Sequence, residues 1–331
     1  MMDRMIREEQ PPEAPRAGHP AIAVIGCGNW GKNLVRNFAH LDALHTVCDL
    51  DSDLLQSFRQ QYRQVHATRN MQSVFENPAI QGVIISTPSH THYALAKQAL
   101  LAGKHVYVEK PVATTGNETI ELFSLAEEHD RVLMVGHLLL YHPVVNRLKQ
   151  LVAEGALGVI NSVESDRLNT NVNRPDKSVL WDLAPHDLSM ISEVLGEQPE
   201  ALTSVVGYTN HPDGLIDDAH LDLAYPGGVG AHIHVSWVHP QKRVKLVVRG
   251  TQGTAVIDDT LGEDKLHLYA KDDTPLPVEE FPEYLMIEPL KLECQHFLHC
   301  MQTGKRPKSD GMNGYRVVQV LEEAEERLQA V

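Results

Sequence analysis

Three side chains have types suited to alcohol chemistry: Lys110 in the run VEKPV, and Asp182 and His186, four residues apart in WDLAPHDLSM. An imidazole accepts a proton near neutral pH, and a nearby carboxylate can orient it and stabilise its charge. A lysine at a strand end can hydrogen-bond a substrate hydroxyl and stabilise negative charge developing on its oxygen. With a helix starting near Pro185, Asp182 and His186 project toward one side. Each also has a plain reading, as a capping acid, a packed histidine or a surface lysine. Their weight therefore comes from their surroundings.

The first of these is AIAVIGCGNWG, residues 21–31. A buried apolar strand runs straight into Gly26, Gly28 and Gly31, the pattern that seats a dinucleotide pyrophosphate on a helix N-terminus. Gly26 permits the tight turn, Gly28 lets the backbone approach the phosphates, and Gly31 lets the helix pack close to the strand. Asn29 falls in the same cofactor-facing turn. Trp30 stands either beside the cofactor or in the packing at the helix start. Asp49 ends the next strand, 18 residues beyond Gly31, near the spacing of about 20 for an acid that binds the adenine ribose. Such an acid repels a 2′-phosphate, so the expected cofactor is NAD. In ISTPSHTHY, Ser86, Thr87, Pro88 and His90 follow a buried strand at the sheet edge where ligands bind. They are expected along the cofactor channel, with Glu109 and Lys110 at the next strand end. Pro111 invites a cis bond.

The elements that must position these residues alternate. Strands are expected at Ala21–Ile25, His45–Cys48, Val83–Ile85, His105–Val108 and Val132–Val135, separated by helices near 32–40, 53–63, 91–102 and 116–129. This predicts a doubly wound parallel sheet, an NAD-binding Rossmann domain over residues 20–137. Residues 138–331 change rhythm. A helix at Pro143–Glu154 and a strand at Ile160–Leu168 precede a helix after Pro185. Six β-rich segments then follow between 201 and 270, and helices near 284–302 and 313–329 close the chain. This predicts a second α/β domain with a large, mostly antiparallel open sheet. Residues 1–19 are polar and proline-rich and are expected to form a disordered tail.

The glycine turn, the STP segment, the EKP tripeptide and the D-x-x-x-H segment, in this order and spacing, resemble the Gfo/Idh/MocA family of NAD(P)-dependent oxidoreductases. The resemblance implies a Rossmann domain followed by an α/β domain whose open sheet often forms an oligomer interface, here a homodimer or homotetramer. It matches Lys110 to the EKP lysine, Asp182 to the dyad acid and His186 to the catalytic histidine. The segments GNWGKNLVRNF, GHLLLYHPVV and SVLWDLAPHDLSM are similar to the family's sugar-nucleotide branch. That similarity implies NAD-dependent oxidation of the C3 hydroxyl of UDP-N-acetylglucosamine to a ketone. An aminotransferase then aminates it for lipid A or related surface glycans. A diphosphate needs cations, and Arg167, Arg174 and Lys177 are the candidates. Asn169, Asn171 and Asn173 could read the sugar, with Tyr141, His142 and Trp181 also near the substrate. Taken singly, the arginine, lysine and asparagine residues of this segment fit a solvated polar loop slightly better. Related substrates remain open: UDP-N-acetylglucosaminuronic acid, inositol or a free sugar. So does a non-catalytic NAD(P)-binding sensor on the same fold.

Composition bounds the rest. The 331 residues suffice for two domains, and 42% hydrophobic with 22% charged residues is ordinary for a globular protein. The net charge of −15 argues against a nucleic-acid partner. No run approaches the roughly 20 apolar residues that span a bilayer. The N-terminus lacks the apolar core of a secretory signal. The four cysteines include no CxxC pair, so reduced thiols in a cytoplasm are expected. The HxH pairs at His90/His92 and His232/His234 lack third and fourth ligands at zinc spacing. Cys294, His296, His299 and Cys300 spread around one helix. No metal is expected.

Overall fold

The computed structural model describes residues 20–170, 178–209, 214–262, 265–277 and 287–329. The expected tail, 1–19, lies outside them. Strands β1 (Ile22–Ile25), β2 (Leu44–Cys48), β3 (His66–Thr68), β4 (Gly82–Ile85), β5 (His105–Glu109) and β6 (Leu133–Gly136) form a parallel sheet in the order β3-β2-β1-β4-β5-β6. β1, β4 and β6 are buried along their whole length. Such continuous apolar runs are what a sheet covered on both faces requires. Helices α1 (Gly31–His40), α2 (Ser52–Gln61), α3 (Met71–Glu76), α4 (His92–Leu101) and α5 (Gly116–Glu128) make the crossovers. The strand order reverses between β1 and β4, which opens a crevice at their C-terminal ends. The sequence reading missed β3 and α3. Both are short, three and six residues, too brief to carry a periodicity.

α6 (Pro143–Ala153) leads to the second sheet: β7 (Ile160–Leu168), β8 (Ala201–Tyr208), β9 (Asp218–Tyr225), β10 (Val229–Ser236), β11 (Arg243–Gly250), β12 (Gly253–Asp258), β13 (Leu266–Ala270) and β14 (Pro275–Leu276). Its order is β14-β13-β12-β11-β7-β10-β9-β8. β7 and β10 run parallel, and the other pairs are antiparallel. Alternate residues of β9, from Ala219 to Tyr225, are buried and the intervening ones partly exposed. The buried set packs with α6, α7 (Val179–Leu195) and α9 (Gly311–Gln329) in one apolar cluster.

α7 begins at Val179, not after Pro185, which lies inside it. An interior proline costs about 3 kcal/mol because it removes a backbone donor. Leu180, Leu183, Leu188 and Ile191 are all buried, each stabilising by about 1.5–3 kcal/mol, so burial outweighs the break. The chain then returns to the first sheet. α8 (Pro289–Thr303) inserts Leu290, Cys294, Phe297 and Leu298 among Ile22, Val24, Phe38 and Tyr107. The Phe297 ring meets Phe38 and Tyr107 edge-on at 6.5 and 5.8 Å.

Candidate active site

The cofactor turn is built from backbone constraints. Gly26 has φ +82°, and a Cβ there would stand 2.5 Å from the Ser86 carbonyl oxygen. A Cβ on Gly31 would meet the Gly26 carbonyl at 2.0 Å. β1, the turn and α1 can therefore approach the β4 end only with glycine at both places. Gly28 is exposed, with open space on its Cβ side. Asn29 is also exposed on this turn. α1 starts without a side-chain cap and without an acid in its first turn. Lys32 and Asn33 N–H bond back to the Gly28 and Trp30 carbonyls at 3.1 and 2.8 Å, and the positive dipole end beside the exposed Gly28 fits a pyrophosphate. Asp49 accepts from the Cys27 N–H at 2.6 Å and the Asp51 N–H at 3.0 Å. These bonds pin the carboxylate against the glycine turn, where a ribose hydroxyl can reach its remaining lone pairs. The residues present fit NAD.

Beside this turn lies a cleft of about 330 Å³. Trp30, Ser86, Thr87, Pro88, Glu109, Lys110, Asp182 and His186 line it, joined by Ser89, His92, Gly136, Leu138 and Leu183. Residues separated by more than 150 positions thus meet at the crevice where β1, β4 and β5 end. Lys110 Nζ donates to the Asp182 carbonyl at 2.5 Å and lies 3.7 Å from its carboxylate Oδ1. The Lys110–Pro111 peptide is cis. Asp182 is 3% exposed, and its Oδ2 accepts from Trp237 Nε1 at 3.3 Å. Trp237 therefore holds one carboxylate oxygen while Lys110 faces the other. His186, one helical turn further, presents its ring to the same cleft.

Glu109 supports the floor. Its carboxylate accepts from Trp30 Nε1 at 2.5 Å and more weakly from the Tyr107 hydroxyl at 3.4 Å. Burial pushes its pKa up, opposed by the Trp30 hydrogen bond and the Lys110 charge. Trp30 thus stands at the cleft, tethered there by Glu109. Burial, with a smaller contribution from the Lys110 charge, drives the pKa of His137 down to about 4 against the opposing Asn313 hydrogen bond.

Several expected residues lie elsewhere. His90 is exposed and does not line the cleft. The buried neighbour His92 does so, its ring nitrogens 2.7 Å from the Pro111 carbonyl and 2.8 Å from that of Thr87. Tyr141 is buried in the core against Ser309, at 2.9 Å. His142 caps α6 through the Val144 N–H. Trp181 reaches the other way, donating to Glu325 at 3.1 Å. Asn169 extends β7 through its backbone bond to Ser236. Arg167 forms a bidentate pair with the fully buried Asp187, both contacts at 2.9 Å, and does not line the cleft. Asn171, Asn173, Arg174 and Lys177 lie outside the described residues. The sequence reading missed His92, Gly136, Leu138, Trp237 and His137. Gly136 ends β6 beside the β5 end, a placement that strand alternation alone implied. Nothing local marked Trp237, 55 residues beyond the acid it holds.

Residues 21–137 match the GFO_IDH_MocA family, described as an oxidoreductase family with an NAD-binding Rossmann fold. Residues 145–256 match the GFO/IDH/MocA C-terminal domain. The chain belongs to the Gfo/Idh/MocA oxidoreductases and carries their NAD-binding Rossmann fold. It is 32% identical over 217 residues to the uncharacterized oxidoreductase YdgJ of Escherichia coli strain K12, an alignment spanning 63% of this chain and 61% of that protein. It is 26% identical over 308 residues to the UDP-N-acetylglucosamine 3-dehydrogenase of Acidithiobacillus ferrooxidans, spanning 91% and 94% of the two chains. A solved structure of UDP-N-acetylglucosamine 3-dehydrogenase from A. ferrooxidans superposes with a TM-score of 0.81 at 24% identity, covering 94% of this chain and 98% of that one. At that identity the superposition speaks for the fold.

Proposed function

We propose that this protein oxidises the C3 hydroxyl of a UDP-N-acetylhexosamine, UDP-N-acetylglucosamine first, to the 3-keto sugar nucleotide. The observation that carries the reading is the convergence of Lys110, Asp182 and His186 on one cleft beside the glycine turn. NAD, when bound, supplies the hydride acceptor. His186 takes the hydroxyl proton as general base, and the Asp182 carboxylate stabilises the charge it gains. Lys110 donates to the same oxygen as negative charge builds there. The lysine is anchored on the Asp182 carbonyl, so its position is set before substrate arrives. Leu138 and Leu183 give the cleft apolar walls that strengthen these interactions by excluding water. The relationship to the A. ferrooxidans enzyme over 91% of the chain supports the sugar nucleotide.

Alcohol oxidation by NAD is often unfavourable at equilibrium, so an aminotransferase that consumes the ketone belongs to the same reading. The four unpaired cysteines support a cytoplasmic setting, and the open face of the second sheet suits a homodimer or homotetramer. One observation favours a neutral polyol or free sugar instead. Lys110 is the only lysine or arginine among the described residues lining the cleft, and Arg167 is held by Asp187. The test is NADH formation from NAD and UDP-N-acetylglucosamine, with a 3-aminotransferase and glutamate present. Turnover supports the proposal. Turnover with inositol or a free sugar, and none with the nucleotide, moves the substrate. Bound NAD without turnover on any of them favours a sensor.

A further inference from the structure

The face of the second sheet turned away from the helices carries a cluster that the sequence reading dismissed. On β9, Asp218, His220 and Asp222 alternate onto the partly exposed side. On β10, His232 and His234 do the same. The antiparallel register sets His234 opposite His220 and His232 opposite Asp222. Spacing along β10 showed only the pair His232 and His234. The missing donors arrive from the neighbouring strand.

The hydrogen bonds fix which atoms point where. His232 Nδ1 lies 2.7 Å from Asp222 Oδ1. A carboxylate only accepts, so this nitrogen carries the proton. His232 Nε2 is then a lone pair in the neutral ring, and it faces His220 Nδ1 at 3.4 Å. His220 Nδ1 must therefore be the donor. That leaves His220 Nε2 as a lone pair aimed at Asp218 Oδ1, 3.5 Å away. A ring lone pair and a carboxylate oxygen facing each other suit a cation between them. His234 aims its own Nε2 at the same carboxylate, 3.2 Å from Oδ1 and 3.3 Å from Oδ2. The His220 and His234 rings stack 3.9 Å apart at 19°.

We infer that Asp218, His220 and His234 form a binding site for a first-row divalent transition-metal ion of the zinc type. The donor atoms of all three lie within 4.8 Å of one another. Ligands about 2.1 Å from a tetrahedral zinc stand about 3.4 Å from each other; the observed separations of 3.2 and 3.5 Å match that edge. Two imidazoles and one carboxylate are borderline donors. They select zinc, nickel or copper over calcium and magnesium, which take oxygen ligands. Water completes the coordination. Asp222 and His232 act behind the ligands. Their chain to His220 Nδ1 fixes its tautomer, as outer partners of metal-bound histidines do. The ion clamps β9 to β10 on the face opposite the helices, and the inference does not depend on the dehydrogenase reading.

The experiment is calorimetric titration of zinc chloride into chelator-stripped, tag-free protein. Cobalt substitution followed by visible absorption gives the geometry. The expected result is one ion per chain with a tetrahedral cobalt spectrum. Asp218→Asn, His220→Ala and His234→Ala each weaken binding at least 100-fold, and Asp222→Asn weakens it 10- to 100-fold. His299→Ala, at an exposed histidine on α8, leaves it unchanged. Thermal unfolding of each metal-free variant verifies that it is folded. No stoichiometric binding to the wild type, or binding that survives all three ligand substitutions, overturns the site and leaves a hydrogen-bonded histidine ladder.

Discussion

Arg167→Met separates a structural cation from a diphosphate ligand. Asp187 is 0% exposed, and its carboxylate accepts two bonds from Arg167 at 2.9 Å and one from Ser165 Oγ at 2.8 Å. Removing the guanidinium leaves an anion in the core with one hydroxyl donor. Breaking a buried pair from one side costs about 3–5 kcal/mol, which is about 100- to several-thousandfold in the folding equilibrium. Arg167→Met/Asp187→Leu removes both charges and returns to within about 1–2 kcal/mol of the wild type. The assay is urea unfolding at pH 7 of the wild type, both single variants and the double. The pair accounts for the arginine if the single loss is large and the double recovers it. An Arg167→Met protein as stable as the wild type, with a raised KM for a UDP-sugar, would refute the structural reading and restore Arg167 as a substrate ligand.

Gly26→Ala forces φ +82° on a residue with a Cβ and drives it to 2.5 Å from the Ser86 carbonyl. It should lose about 2–5 kcal/mol in denaturant unfolding. Gly28→Ala meets nothing within 4 Å, so it should unfold like the wild type while NAD affinity, measured by fluorescence titration, falls about tenfold or more. Burial holds His137 near 4 against about 6.5 in the unfolded chain. The unfolded state therefore takes up a proton first as pH drops below 6.5, and stability is lost down to about pH 4. The loss is about 3 kcal/mol. His137→Gln should lose about that much less between pH 7 and 4 by chemical denaturation. Glu293 is fully buried, and neither carboxyl oxygen has a hydrogen-bond partner among the described residues. Burial and the Glu109 charge hold its pKa well above the usual carboxylate range. An acid raised in the folded state loses stability as pH climbs above its unfolded value near 4.5. Glu293→Met should be more stable than the wild type by about 1–3 kcal/mol at pH 8, with less gain at pH 5.

The alternating strands of residues 21–136 were legible because a doubly wound sheet writes itself as apolar runs of four or five residues between amphipathic helices. The glycine turn and Lys110 were legible because each sits at a strand end, a position with a fixed meaning in this fold. Pro185 misled, since proline marks a helix start only where burial does not carry the helix through it. Arg167, Tyr141 and Trp181, expected near the substrate, do not line the cleft, for one shared reason. Each has a type that suits a ligand, and in each the deciding partner is remote in sequence: Asp187, Ser309 and Glu325. The same blindness hid Trp237 behind Asp182 and the cross-strand partners of His234.

Single-turnover hydride transfer tests the central claim most directly. UDP-N-acetylglucosamine carrying deuterium at C3 is mixed with NAD and the wild type, Lys110→Met and His186→Asn proteins, and deuterated NADH is followed by mass spectrometry. The account predicts transfer of the label by the wild type and about a 100- to 1,000-fold slower rate for each variant, with NAD affinity unchanged. Transfer at the wild-type rate in both variants would contradict it.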